Sequence, residues 1–455
     1  METPTDLTIP EETIVEIGDF DRIPRMGMIE QQWETASIPP DELVDRSVDA
    51  VDSLDLDFIP AGGSIAVGVG SRGIANLSTI AAGVVEGLQD SGFEPFVVPA
   101  MGSHGGATDE GQRNVLETLG VTESTVGCPI RSSMNVIEVG RTPERNVSVV
   151  TDVHAANADA IIPVNRVKPH TDYDGAIESG LAKMLVIGFG KQRGAKIAHD
   201  WAIDWSLRRM VPSITDQLIE SLPIPGGVAI LEDQRDQTAR IEGVPAETLL
   251  DRERELLQEA EELLPRLPFE EVDILVVDRQ GKDISGQGID PNVIGRRPFA
   301  INEGEPAVPN IKRIYVRSLS ERTHGNAMGV GSADFVHQDV FREIDPRDTF
   351  VNAITASTVR GIRLPPVVET DRSGLLACLA CIGVRTAEDV RILRVTDTMR
   401  LERMYASEAL IEASRDREDL HVVEEPTDVT FTHTGRFEAP TPDADGHTLV
   451  RQDSD

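Results

Sequence analysis

From Ser64 onward the chain repeats one pattern that few fold classes accommodate. An apolar run of strand length is followed by a glycine-bearing turn and then by apolar residues at helical spacing. SIAVGVGS (64–71) leads into RGIANLSTIAAGVVEGLQDSG, and FEPFVVPAMGS (93–103) into TDEGQRNVLETLG (108–120), opened by Thr108 and closed by Gly120. ADAIIPVNRV (158–167) and GGVAILED (226–233) read as further buried strands, with a helix over 199–222 between them that the pattern interrupts at Pro212. Strand followed by helix, repeated, predicts an α/β fold with mainly parallel sheets. PAETLLDRERELLQEAEELLPRL (245–267) reads as one long amphipathic helix, after which the alternation resumes at VDILVVDR (272–279), IKRIYVRSL (311–319) and VRILRVTDT (390–398). A chain of 455 residues exceeds one ordinary core. The expected layout is two α/β domains, 1–245 and 269–438, joined by a helix over 246–268, with the active site in the cleft between them and a disordered acidic tail at 439–455.

Charge narrows the partners. A net charge of −35 argues against nucleic acid and anionic membranes, which need a positive footprint. No apolar run is long enough for a transmembrane helix, and the acidic start lacks a secretory pattern, so the expected location is the cytoplasm. Only six of the 43 basic residues are lysines, and this acidity with few lysines matches adaptation to high salt. Four of those six, Lys168, Lys183, Lys191 and Lys196, fall in one short segment; the others are Lys282 and Lys312. A surface that avoids lysine but keeps four together points to an amine used for chemistry or for phosphate contact, roles in which arginine does not replace a tunable amine. The three cysteines carry less. Cys378 and Cys381 lie in the apolar run SGLLACLACIGV, which reads as a buried helix, and Cys128 stands alone.

In open α/β sheets ligands bind beyond the carboxyl ends of strands. Three such loops carry reactive side chains. VGVGSRGIANL presents Arg72, a planar fork for a carboxylate or phosphate, beside Gly68, Gly70 and Gly73. Those glycines match a dinucleotide fingerprint, but no acid follows the next strand, which counts against a nicotinamide dehydrogenase. PAMGSHGGATDEG places His104 between glycines, where an imidazole suits acid–base work. The segment from Arg166 to His199 gathers His170, Asp172, Asp174, Glu178, Lys183 and His199 with a high density of glycine. His324, in a later glycine-rich loop, is a fourth candidate. These parts suit proton abstraction from a hydroxy acid, a covalent cofactor link through lysine, or one metal position through histidine, and spacing alone leaves the three open.

SRG (71–73), GSHGGAT (102–108), PH (169–170), SGLAKM (179–184) and His199 together resemble the nickel-dependent lactate racemase family. The sixteen-residue interval from Lys183 to His199 is similar to that family's spacing, and the likeness runs over all but the two ends. The resemblance implies a nickel pincer nucleotide (pyridinium-3-thioamide-5-thiocarboxylic acid mononucleotide) as cofactor. It implies a covalent link at Lys183 and a nickel ligand at His199. His104 and His170 would be the paired general acid/bases, and Arg72 would hold the substrate carboxylate. The implied activity is racemisation or epimerisation of a small-molecule 2-hydroxy acid. The sequence departs from the family in HTDYDGAIESGLAK, which is longer between His170 and Lys183, and in Val69, where an acid is expected; both departures extend the substrate range from lactate to larger relatives. A non-catalytic protein that holds a nucleotide or organic acid on the same fold is the competing class.

Overall fold

Alternation along the strands sends successive side chains to opposite faces of two sheets. The computed structural model describes residues 7–18, 22–33, 37–71, 73–171, 173–297, 308–383 and 385–442. β1 (Thr8–Ile9) and β2 (Met26–Gln31) come first. They are followed by β3 (Ser64–Val69), β4 (Glu94–Pro99), a hairpin of β5 (Val136–Arg141) and β6 (Ser148–Asp152), β7 (Ala160–Arg166), β8 (Gly226–Glu232) and β9 (Thr238–Pro245). The later strands are β10 (Glu271–Val277), β11 (Asn310–Val316), β12 (Phe335–His337), β13 (Val367–Val368), β14 (Ile392–Val395), β15 (Arg403–Ser407) and β16 (Leu420–Thr427). No helix among the described residues is long and apolar enough to cross a membrane.

The chain divides into two units. The described residues from 37 to 264 build a sheet of order β4-β3-β7-β8-β9, parallel except for the final β8–β9 pair. Ile65, Val67 and Val69 point into one core with Val97, Ile162 and Val164, while Ala66 points into the other with Phe96, Val98 and Ile161. The remaining described residues build a sheet of order β1-β13-β12-β11-β10-β14-β15-β2-β16, parallel from β1 through β14 and antiparallel beyond. It too has a core on each face, with Leu275 and Val277 on one side and Ile274 and Val276 on the other. Both units are therefore α/β with mainly parallel sheets, as the repeated pattern predicts.

Three boundaries differ from the sequence expectation. Residues up to Trp33 belong with the second unit, because β2 pairs with β15 and β16; a strand's own sequence does not say which distant partner it joins. The helix expected to join the halves spans Leu249–Glu262 and packs against β8 and β9 of the first unit through Leu256, Leu257 and Ala260; the chain crosses after Leu264. The interruption expected at Pro212 falls instead at Ser206 (φ 65°), between helices Lys191–Trp205 and Leu207–Ser221, and Pro212 lies inside the second of them. Most of the proposed tail, 443–455, lies outside the described residues.

One contact positions everything that follows. A Cβ on Gly68, next to last in β3, would overlap the ring of Phe189, and a Cβ on Gly70 would sit 3.2 Å from Met184 Cε. The apparent dinucleotide fingerprint thus has a packing cause: the segment 184–189 lies across β3 where the glycines leave room. Gly68→Ala is expected to lose about 1–3 kcal/mol of stability by overpacking. Urea titration of Gly68→Ala with and without Phe189→Leu checks this, since the smaller side chain should restore part of the loss.

Candidate active site

Strand order locates a crevice in the first unit. The connection leaving β3 runs through helix Leu77–Asp90 to β4 on one side, whereas the chain leaving β7 reaches β8 on the other. Adjacent strands whose exits diverge open a crevice at their carboxyl ends, the usual ligand position in such sheets. Gly70 and Ser71 follow β3 there, and Val167, Lys168 and His170 follow β7. Ser71 Oγ and His104 Nδ1 share a short hydrogen bond, so the loop after β4 is tied to the loop after β3. His104 is exposed at the start of a tight turn over Gly105–Ala107, and helix Asp109–Thr118 follows, capped by Thr108. Arg72 lies outside the described residues. Arg166, at the end of β7, forms an ion pair with Glu232 at the end of β8, and Glu232 also accepts from the Ala75 amide at 2.6 Å.

The loop carrying His170 is built by its own side chains. Lys168 and Ser179 exchange backbone hydrogen bonds (2.8 and 3.2 Å), which closes the excursion between them. Inside it, buried Glu178 accepts from the amides of His170 (2.5 Å) and Gly175 (2.8 Å). Tyr173 is buried, donates its hydroxyl to Glu178 O at 2.9 Å, and sets its ring 4.7 Å from that of His170, tilted 35°. The insertion noted in the sequence is therefore the support that orients His170. Asp172 lies outside the described residues, and Asp174 is exposed.

Lys183 sits where the backbone turns sharply. Asn165 Nδ2 donates to Gly180 O (2.8 Å), and a short helix Leu181–Lys183 begins there. It runs directly into one turn of π-helix, Met184–Gly188, closed by Phe189 N donating to Met184 O at 2.9 Å. Such widened turns concentrate at functional sites. The Lys183 side chain is partly buried, with its ammonium 3.4 Å from Ser179 Oγ. The N-terminus of this turn is served from far away in sequence: Glu253 Oε2 accepts from Ala182 N at 2.9 Å. Glu253 is fully buried, and desolvation pushes its carboxyl up to about 7 against the opposing bonds from the Ala182 and Leu181 amides.

Lys191 has a different part from the one its place in the lysine cluster suggests. Its side chain is completely buried, 3.3 Å from Asp152 Oδ2 and 3.0 Å from Gln112 Oε1, and it also donates to Pro99 O at the end of β4. Burial pulls its pKa down, and the neighbouring Asp152 pulls the other way. Gln112 in turn donates to Gly102 O (2.9 Å) and His104 O (3.4 Å). The ammonium thus links the start of helix Lys191–Trp205 to the loop of His104. Ala195 faces Gly102 across this junction, and His199, one turn further along the same face, is exposed. The far end of that helix is anchored by Trp201 and Trp205, whose rings meet edge to face at 6.4 Å, with Arg145 about 6 Å from each. Lys196 is exposed and pairs only with Asp200, one turn away, among the contacts shown for it.

His104, His170, Lys183 and His199 thus all belong to one unit: His104 and His170 follow the carboxyl ends of β4 and β7, Lys183 ends the short helix after Gly180, and His199 lies on helix Lys191–Trp205. Two further candidates belong to the second unit: Lys282 donates to Asn352 Oδ1 at 2.7 Å, and His324 is exposed in a left-handed helix end (φ 48°). Cys378 is buried in the helix Asp371–Ala380 with its thiol pushed far up by desolvation, as a packing role requires, whereas Cys381 follows that helix and is exposed, against the expectation of a buried helix through both. Sequence reasoning missed Tyr173, Gln112 and Glu253, whose partners are contacts rather than motifs. Only Glu253 left a sign, a single acid within an apolar helical stripe.

Lys183 offers a partly buried amine and His199 an exposed imidazole, a side-chain type that nickel accepts. Among the described residues no three His, Cys, Asp or Glu side chains gather to hold a metal by themselves.

Removing the buried ammonium strands Asp152. Lys191→Met is expected to cost about 3–5 kcal/mol of stability, and Lys196→Met, which breaks an exposed pair, less than about 1 kcal/mol, both by chemical denaturation. Glu253 gives a pH test. Its folded pKa is raised from 4.5 to about 7, so its stabilising contribution is complete below 4.5 and is lost as pH rises through 7. Relative to Glu253→Gln, the wild type should lose roughly 3 kcal/mol across that window, an order-of-magnitude figure; parallel unfolding curves at the two ends of it would disprove the burial of an ionisable carboxyl.

No family model and no curated protein matches this chain. Among solved structures it is similar to the lactate racemase apoprotein from Thermoanaerobacterium thermosaccharolyticum, at 12% identity and a TM-score of 0.42, with 84% of each chain covered. No residue correspondence follows at that score, and the site described above stands on this chain's own contacts.

Proposed function

We propose that this protein is a racemase or epimerase of a 2-hydroxy acid, lactate or a larger relative, working with a nickel pincer nucleotide joined to Lys183. Supporting the reading, the His104 and His170 loops follow the carboxyl ends of β4 and β7 on either side of β3, Ser71 ties the His104 loop to that of β3, and buried Glu178 and Glu253 hold the backbone at His170 and just before Lys183. The sequence motifs at the same residues support it independently. A binding protein has little need of two histidines and a lysine held in this way.

Lys183 would carry the cofactor and His199 would supply the protein's nickel ligand. When bound, the cofactor supplies the acceptor and donor of the substrate's Cα hydride. The chain's own groups do the rest. Arg72 pairs with the carboxylate through its planar fork. One of His104 and His170 takes the hydroxyl proton of one enantiomer, and the other returns a proton when the opposite enantiomer forms. Ser71 holds the ring of His104 through Nδ1; Tyr173 and Glu178 hold His170.

Expression in a host that makes the cofactor provides the test. Intact mass should show an adduct that disappears in Lys183→Ala, with about one nickel per chain, as a single-imidazole site requires. His104→Ala should keep the adduct and lose turnover. Protein from such a host with neither adduct nor nickel would exclude the proposal.

A further inference from the structure

The helix Leu249–Glu262 buries Leu249, Glu253, Leu256, Leu257 and Ala260. Those positions form one stripe at helical spacing, and its second member is the one place where the pattern asks for a leucine and finds a carboxylate. The carboxyl is completely buried, and Oε1 has no hydrogen-bond partner, an arrangement that costs folding free energy. It also constrains a distant position: a Cβ on Gly180 would overlap Oε1. What the fold receives in return is the bond that Oε2 accepts from Ala182 N, at the first turn of a helix that has no side-chain cap of its own. The residue after Ala182 is Lys183. An apolar residue at 253 would serve the core at least as well, so the carboxylate is explained by the turn and not by the core.

We infer that Glu253 is a positioning residue for Lys183: by holding the Ala182 amide it fixes the turn that keeps the lysine amine beside Ser179 and partly shielded from solvent. This rests on the reading of Lys183 as the reactive amine, yet it can be tested without cofactor. Full-length protein is labelled with trace acetic anhydride, and the modification of Lys183 is measured against that of exposed Lys196 in the same molecule by peptide mass spectrometry. Glu253→Leu fills the space and removes the acceptor; Glu253→Gln keeps an acceptor oxygen. With the turn released, the Lys183 to Lys196 ratio should rise about tenfold in the Leu variant, the worth of one charge-assisted hydrogen bond, while its melting temperature does not fall. The Gln variant should stay within about twofold of wild type. An unchanged or lower ratio in the folded Leu variant overturns the inference, as does an equal rise in the Gln variant. Should the Leu variant not fold, Glu253→Asp, which keeps the charge but draws the oxygen back from Ala182, is read by the same ratio. The outcomes separate the two claims. A ratio that responds in a protein that never acquires an adduct leaves Glu253 as the support of Lys183 and removes the cofactor; an adduct with an unresponsive ratio does the reverse.

Discussion

The ring of Phe189 occupies the space that Gly68 leaves open, and the candidate site depends on that contact. It presses the π-turn of Met184–Gly188 against β3, so that Lys183 arrives beside the ends of β3 and β7 and not out in solvent. Gly70 admits Met184 in the same way, and Gly102 lies against Ile187 from the other side. An interior packed as tightly as an organic crystal transmits such a constraint without slack. The glycines that look like a nucleotide fingerprint are thus the floor on which the lysine segment lies.

Buried charge does the second half of the positioning. Lys191 joins β4, Gln112 and Asp152 into one junction, and Glu253 holds the start of the Lys183 turn. Both are groups that a core would rather exclude, and both sit directly behind a candidate functional loop. The pattern is that of a protein that accepts local destabilisation where a site has to be held still. His170 is supported differently, by Glu178 and Tyr173 within its own loop, so its orientation depends less on the rest of the unit.

Much of this was legible in one dimension. The strands at 64–69, 94–99, 160–166 and 226–232 follow from apolar runs of strand length, and the helix at 109–118 from its Thr108 cap. The candidate residues were legible too, because a scarce lysine and a histidine between glycines stand out against an acidic sequence. The strands β2, β9 and β15 were not, since runs of mixed polarity become strands only when a partner supplies the other half of the hydrogen bonds. Nor was the break at Ser206, where a proline nearby drew the interruption to the wrong residue.

The amino-acid sequence by itself determined the α/β class, the parallel sheets and the kinds of side chain available for chemistry, because periodicity and residue type are local properties. Tertiary structure decided what each of those side chains is for. Four lysines look alike in a segment of 29 residues, from Lys168 to Lys196, but Lys191 is a buried clamp, Lys196 is a solvated ion pair and Lys183 is the amine at the turn. The physical reason is that an ammonium takes its role from its surroundings. The partners that set those surroundings, Asp152, Gln112 and Glu253, lie 39 to 79 residues away along the chain and meet the lysines only when the sheet has formed.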